Sequence, residues 1–531
     1  MRLGLSCLAV SVAAVAAFWG WLGLPVPMPQ APLQPGEKLY CLSYAPFRAG
    51  QTPFDETTRI TPEQIDDDMA RLSRITDCVR TYSVEFGQGQ VAAIAKRHGL
   101  KVIQGIWLGT KPEKNRAEIE AAVTIANEYP DVVRALVVGN EVLLRGDMAA
   151  DDLAATIRAV KARVKVPVTY ADVWEYWLRN AQVASAVDFV TIHILPYWED
   201  FPIPSRNAAA HVDLIRQQVV AALAGKDVII GEVGWPSEGR MREGALPSPA
   251  NQARVIQDVL ALAKRENFRV NVIEAFDQPW KRGLEGTVGG YWGLLDARTR
   301  EYKFAWGQPV SNYPLWKLSA AAGVALVVLV FAAAFLTRRN DARAGVWAAV
   351  TANAIAGGSL IGWSIADAPL HSFDAGGWLQ STALAVIACA APPVLSAAAM
   401  RGLAVPPFWR LIGPRAKRTR DALGIAAGTV LIAAMLLAVQ SALGLMFDPR
   451  YRDFPFAPLT AAVVPFLTHK FVVRVAPGPR LAAETAAAVI LAPSIPYVAI
   501  NEGFFNWQSL WLCAALSAFA LRLFLVRAAP G

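Results

Sequence analysis

Two short runs constrain this chain more than any others: VVGNEVL at 137–143 and VIIGEVGWPSEG at 228–239. Each is a stretch of β-branched and small apolar residues that ends abruptly on Gly-Asn-Glu or Gly-Glu. A continuous apolar run of this kind is how a parallel strand buried on both faces reads. A carboxylate at its end is what such a strand delivers to the rim of a barrel. The chain is therefore expected to build a parallel sheet that carries Glu141 and Glu232 to one face.

Further strand candidates surround these two: LYCLSY (39–44), DCVRTYS (77–83), KVIQGIW (101–107), VRALVVGNE (133–141), PVTYAD (167–172), VDFVTIH (187–193), DVIIGEVGW (227–235) and NVIEAFD (271–277). Helical patterns fill the gaps. One is TPEQIDDDMARLSRI at 61–75, with Thr61 as N-cap and Gln64 as its capping-box partner. Eight strands alternating with helices over roughly 270 residues are the count and size of an α/β (β/α)8 TIM barrel, placed at 38–308. An open doubly wound sheet usually shows a Gly-rich phosphate loop after its first strand. Here that strand runs into Ser43-Tyr44-Ala45-Pro46 instead.

The rest of the 531 residues has a different composition. Residues 3–24 are almost all apolar, and roughly 20 such residues span a bilayer. Ala14-Val15-Ala16 offers a signal-peptide cleavage site as the competing reading. The apolar run continues through Phe18, Trp19, Trp21 and Leu22, so a retained anchor at 1–24 is expected. A Pro-rich, semi-rigid linker occupies 25–37. Residues 314–527 form an all-α polytopic membrane domain of about seven helices, near 316–336, 345–366, 378–399, 422–446, 456–474, 482–500 and 508–526.

Charge in the gaps alternates. Arg338, Arg339 and Arg343 follow the first span, Arg401, Arg410, Arg415, Lys417, Arg418 and Arg420 the third, and Lys470, Arg474 and Arg480 the fifth; Arg522 and Arg527 close the chain. The other gaps carry Asp367, Asp374, Asp448, Asp453 and Glu502, with Arg450 and Arg452 as the exception. The positive-inside rule then puts both termini in the cytoplasm and the barrel on the periplasmic or extracytoplasmic side of the inner (cell) membrane, with membrane lipid as a partner. The net charge of +8 is absorbed by these loops, and no nucleic-acid motif accompanies it. Cys7, Cys389 and Cys513 fall in apolar stretches. Cys41 and Cys78 fall on neighbouring strands, where two unpaired core thiols are expected rather than a disulfide, because strand interiors rarely offer disulfide geometry. No spacing suggests a metal, and no cofactor is implied.

In a barrel, strands four and seven face each other across the mouth, so Glu141 and Glu232 are expected about 5 Å apart, the retaining geometry of glycosidic-bond cleavage. One strand-end glutamate is as readily an ion-pair partner; two on these strands are a catalytic pair. Arg80, inside the second strand, needs a charge partner and is expected to order the nucleophile. His193 ends the sixth strand, and either a satisfied core histidine or a substrate contact fits it. Aromatic residues at strand ends suit the apolar faces of sugars, with some of them core.

VVGNEVL and GEVGWPSEG, with EAFDQPWK (274–281) and YWGLLD (291–296), resemble glycoside hydrolase family 17, which holds β-1,3-glucanases and β-glucan transglycosylases on barrels of the clan A, four-seven type. The resemblance implies Glu141 as general acid/base, Glu232 as nucleophile and Asn140 as holder of a sugar 2-hydroxyl. Substrate contacts are expected from Tyr44, Arg80, Tyr170, His193, Tyr197, Trp235, Glu274, Asp277, Lys281 and Trp292. One departure stands out: fungal members read Asp-Glu-Pro-Trp-Lys where this chain has Asp277-Gln278-Pro279-Trp280-Lys281. Bacterial members with a fused membrane part resemble those linked to periplasmic β-(1→3),(1→6)-glucan synthesis. The expected activity is a transglycosylase on β-1,3-glucan that forms β-1,6 links or branches beside a membrane glucan synthase. Hydrolysis of β-1,3-glucan is the alternative. A glucan-binding exporter is the alternative of another class, and the bundle's scarcity of charges speaks against it.

Overall fold

The computed structural model describes residues 2–338, 343–414, 418–474 and 481–525. Arg339, Arg415, Lys417, Arg480 and Arg527, all used in the charge pattern above, lie outside the described residues. The chain divides into two compact units. One holds Val26–Glu238 and Gly244–Val310; the other holds Met1–Pro25, Gly239–Glu243 and Ser311–Gly531.

The first unit is a closed barrel of eight parallel strands in sequence order. They are β1 (Cys41–Ser43), β2 (Cys78–Arg80), β3 (Lys101–Ile106), β4 (Val133–Asn140), β5 (Val168–Val173), β6 (Val190–His193), β7 (Val228–Val233) and β8 (Val270–Val272). Every strand candidate overlaps its strand; most are trimmed at the ends, while β5 runs one residue past its candidate to Val173 and β8 starts one residue before it at Val270. β1 closes the ring by pairing with β8 through Leu42 and Val272. The runs rich in Val and Ile follow from burial on two sides, one facing the barrel axis and the other the helical shell. Inside the barrel Cys41, Cys78, Ile103, Val137 and Ala171 fill one layer.

Helix starts follow local rules. Ser248 caps Pro249–Arg265 by accepting the Asn251 amide, and a proline opens the helix where no N–H is needed. Thr61 likewise accepts from the Gln64 amide. The other half of the expected capping box is absent, because the Gln64 side chain donates to Pro46 O and meets Gln51.

Cys41 and Cys78 form a disulfide, contrary to the expectation of two thiols. Leu42 pairs with Val79 in the ladder, so the two cysteines are in register on adjacent strands. Both point into the barrel, with Cα atoms 4.4 Å apart, and that closeness is what the general argument about strand interiors missed.

The second unit is helical. Among the described residues, seven helices are long and apolar enough to cross a membrane: Arg2–Leu22, Trp316–Thr337, Ala344–His371, Ala375–Arg401, Ala422–Phe447, Ala482–Glu502 and Trp507–Phe524. Phe456–Val472 is an eighth, shorter apolar helix. Close packing between these helices relies on small residues. A Cβ on Gly323 would stand 2.2 Å from Gly358 O, so these two helix backbones touch. Trp19, Tyr313, Trp363, Phe456 and Trp511 make edge-on ring contacts within one aromatic cluster.

Candidate active site

Glu141 and Glu232 arrive at the mouth by different local devices. β4 ends in Gly139 at φ +91°, where a Cβ would meet Val142 Cγ2 at 2.7 Å, so only glycine fits. Glu141 follows at φ +54°, a left-handed conformation that L residues rarely hold and that concentrates at functional positions. The turn is held from behind: the Leu143 amide donates to Tyr170 Oη at 3.0 Å and the Leu144 amide to Asp172 at 3.3 Å. On β7, Gly231 precedes the glutamate because a Cβ there would strike Thr191 Cγ2 at 2.3 Å and crowd His193.

The Glu232 carboxylate is buried and accepts from two donors on β2 and just beyond it. Arg80 Nη1 lies 3.0 Å from its Oε1, and Tyr82 Oη 2.8 Å from the same oxygen. Arg80 is itself fixed by Gly231 O at 2.7 Å and by Asn140 Oδ1 at 2.5 Å. That second bond leaves the Asn140 amide nitrogen as the donor for a ligand. Tyr82 is one of the strand-end aromatics, though not among the expected substrate contacts; Ser43 Oγ fixes its hydroxyl at 2.9 Å. Burial first, then the Glu232 charge, pushes the Tyr82 phenol well above its usual value, so it stays a donor.

Glu141 is more open: its side chain is 24% exposed against 6% for Glu232. His193 Nδ1 sits 2.8 Å from Glu141 Oε1, while Nε2 faces Arg80 at 3.4 Å and Glu232 at 3.6 Å. Burial works to raise the Glu141 carboxyl; the His193 hydrogen bond and charge, with Arg145 and Arg80, outweigh it and hold it below the ordinary value. Glu141, His193 and Glu232 each bring one ligand atom to within 4.8 Å of the others. That spacing could accept a cation, but the Arg80 guanidinium already supplies positive charge to Glu232. An approach of one Glu141 oxygen to within 4.8 Å of one Glu232 oxygen is compatible with the ~5 Å spacing of a retaining pair.

The remaining expected residues divide. Glu274 is buried against Lys281 Nζ at 2.9 Å, and burial raises its carboxyl to about 7 against that pairing. Asp277 binds Lys303 at 2.7 Å and the Gly293 amide at 2.8 Å, a partner the motif did not suggest. Tyr44, Tyr170, Tyr197, Trp235 and Trp292 are all buried in the barrel wall, which corrects their expected role as open sugar contacts. Tyr44 donates to Asp68, Tyr170 to Asp172, and Trp235 to Leu246 O. An aromatic at a strand end packs against the helical shell as readily as it faces the mouth.

Gln278 explains its own departure from the fungal pattern. Its amide nitrogen donates to Ala45 O at 2.9 Å, and its oxygen accepts from Trp280 Nε1 at 2.7 Å. An ionised carboxylate could satisfy only the second bond.

The chain is similar to known proteins over its barrel. The BtgE/BtgC glycoside hydrolase domain model matches residues 41–293. A glucan 1,3-beta-glucosidase of Schizosaccharomyces pombe is 28% identical over 279 residues, covering 48% of this chain and 84% of the relative. The crystal structure of a glycoside hydrolase family 17 beta-1,3-glucanosyltransferase from Rhizomucor miehei is 31% identical, covering 50% of this chain and 95% of that one with a TM-score of 0.45.

Proposed function

Because the chain belongs to glycoside hydrolase family 17, we propose that its barrel acts on β-1,3-glucan by a retaining mechanism, with Glu232 as nucleophile and Glu141 as acid/base. The observation that carries this reading is the asymmetric carboxylate pair: one buried and held by Arg80 and Tyr82, the other more open and held by His193. Glu232 attacks the anomeric carbon while Glu141 gives its proton to the departing glycosidic oxygen. A glucosyl ester on Glu232 results. Glu141, now ionised, takes the proton of the incoming hydroxyl, and that oxygen displaces Glu232 with net retention. Asn140 donates to the sugar beside the cleaved bond. Lys281 and Glu274 set the local field.

The acceptor decides the product. A sugar hydroxyl gives transfer and water gives hydrolysis, and the glucosidase names of several relatives favour the second. We favour transfer that forms β-1,6 links or branches, with the enzyme held in the inner membrane beside a glucan synthase. Seven apolar helices of spanning length support the anchoring. The disulfide in the barrel supports an oxidising, extracytoplasmic side for the catalytic unit.

The test is to incubate the full chain, purified in detergent, with end-labelled laminari-oligosaccharides and to size the products. Products longer than the donor, carrying 6-linked glucose on methylation analysis, are expected. Glucose and shorter oligomers alone would assign hydrolysis and remove the transfer reading.

A further inference from the structure

Trp107 follows β3 and is 41% exposed, unlike the buried strand-end aromatics. Its place is fixed from three directions. The Trp107 amide donates to Glu118 Oε2 at 3.1 Å, and the same buried carboxylate receives Ser83 Oγ and the Val84 and Glu85 amides of the loop after β2. Asn115 binds both the N–H and the carbonyl of Gly109, at 2.9 and 2.8 Å. Arg145 lies over one face of the indole with its guanidinium carbon 4.3 Å from the ring centroid. The indole N–H has no protein partner among the described residues.

Arg145 also ties this ring to the acid/base. One guanidinium nitrogen donates to Asn140 O, next to Glu141, and the other to Leu108 O at 2.6 Å. A single planar cation thus supports the indole and the Glu141 turn together. A rigid indole covered by a guanidinium on one face and open on the other is a sugar-stacking plate, because aromatic rings bind apolar faces at little entropic cost.

Its side of the cleft follows from the chemistry. Glu141 protonates the leaving oxygen and later deprotonates the acceptor, so leaving sugar and acceptor share the flank of Glu141. β3 lies one strand beyond β4, on the side away from β7. We propose that Trp107, backed by Arg145 and anchored by Glu118, is the platform for the acceptor glucan and governs the partition between transfer and hydrolysis. This rests on the retaining reading above.

A β-laminaritriosyl fluoride separates the two half-reactions, since its leaving group is one atom and fluoride release reports formation of the Glu232 ester. Full-length wild type and Trp107→Ala are assayed with and without laminaribiose as acceptor. The expected result is an acceptor KM raised about tenfold, ~1.4 kcal/mol, with a matching fall in the transfer-to-hydrolysis ratio. That loss should exceed any loss in acceptor-free fluoride release, and Trp107→Phe should recover part of it. An unchanged acceptor KM would overturn the proposal, as would a loss confined to acceptor-free fluoride release. Wild type that releases no fluoride would instead overturn the retaining reading itself.

Discussion

The ends of β4 and β7 carry the same residue to the same mouth and treat it in opposite ways. Glu232 is buried within β7 and held by a guanidinium and a phenol. Glu141 stands on a left-handed residue, a quarter exposed, with a single histidine as its close partner. A group that must remain an oriented anion needs fixed donors. A group that must gain and lose a proton in each cycle needs access to solvent and a partner that tolerates both states. The difference between the two ends is the ground on which distinct roles are proposed for two identical side chains.

The largest expected break is substitution of the carboxylates. Glu232→Gln should lower turnover of laminari-oligosaccharides on the order of 10⁴-fold or more with every donor, since no ester forms. Glu141→Gln should lose roughly 10²–10⁴-fold on the same donors but far less on a dinitrophenyl glycoside, whose leaving group needs no proton. Equal sensitivity of both variants to leaving group would dissolve the distinction.

Arg80→Ala leaves the buried Glu232 charge without its main partner, a loss of about 3 kcal/mol and so roughly 10²-fold in kcat/KM. Tyr82→Phe, which spares the charge, should cost less. His193→Ala sharpens the other end. His193 holds the Glu141 carboxyl below its ordinary value, so its removal raises that carboxyl. The acid form then persists to higher pH, and the alkaline limb of the kcat/KM profile should move upward. A downward shift would contradict the assignment.

The smallest effect is on stability. Burial lifts Glu118 and Glu274 to about 7, and Asp172 and Asp277 to about 6. Groups raised in the folded state hold protons that the unfolded chain releases. Their contribution is complete below pH ~4 and is lost as pH rises through 6 and 7. Barrel unfolding, followed by circular dichroism on the full chain in detergent, should therefore occur at higher temperature at pH 5.5 than at pH 8, and Glu118→Gln should flatten the trend.

The comparison also marks what the amino-acid sequence revealed. Apolar runs ending in glutamate specify buried parallel strands, so the barrel and the positions of Glu141 and Glu232 were legible. So was the partnership of Arg80, because a charge inside a strand demands one. The disulfide was misjudged, since register and interior direction decide pairing and only the folded ring sets both. Five aromatics were placed at the mouth by residue type alone, yet facing direction at a strand end depends on where the strand stops. Tyr82 and Trp107 carried the same signal as those five, and only their surroundings distinguish them.

The assignment of the two ends is tested most directly by azide rescue. Removing the acid/base leaves a glycosyl ester that azide attacks from the face it left open. Removing the nucleophile lets azide take the place of Glu232. With a dinitrophenyl laminaribioside donor, Glu141→Ala plus azide should yield the β-glycosyl azide, and Glu232→Ala plus azide the α-glycosyl azide, both read from the anomeric coupling by NMR. The reverse pairing of variant and configuration would contradict the account.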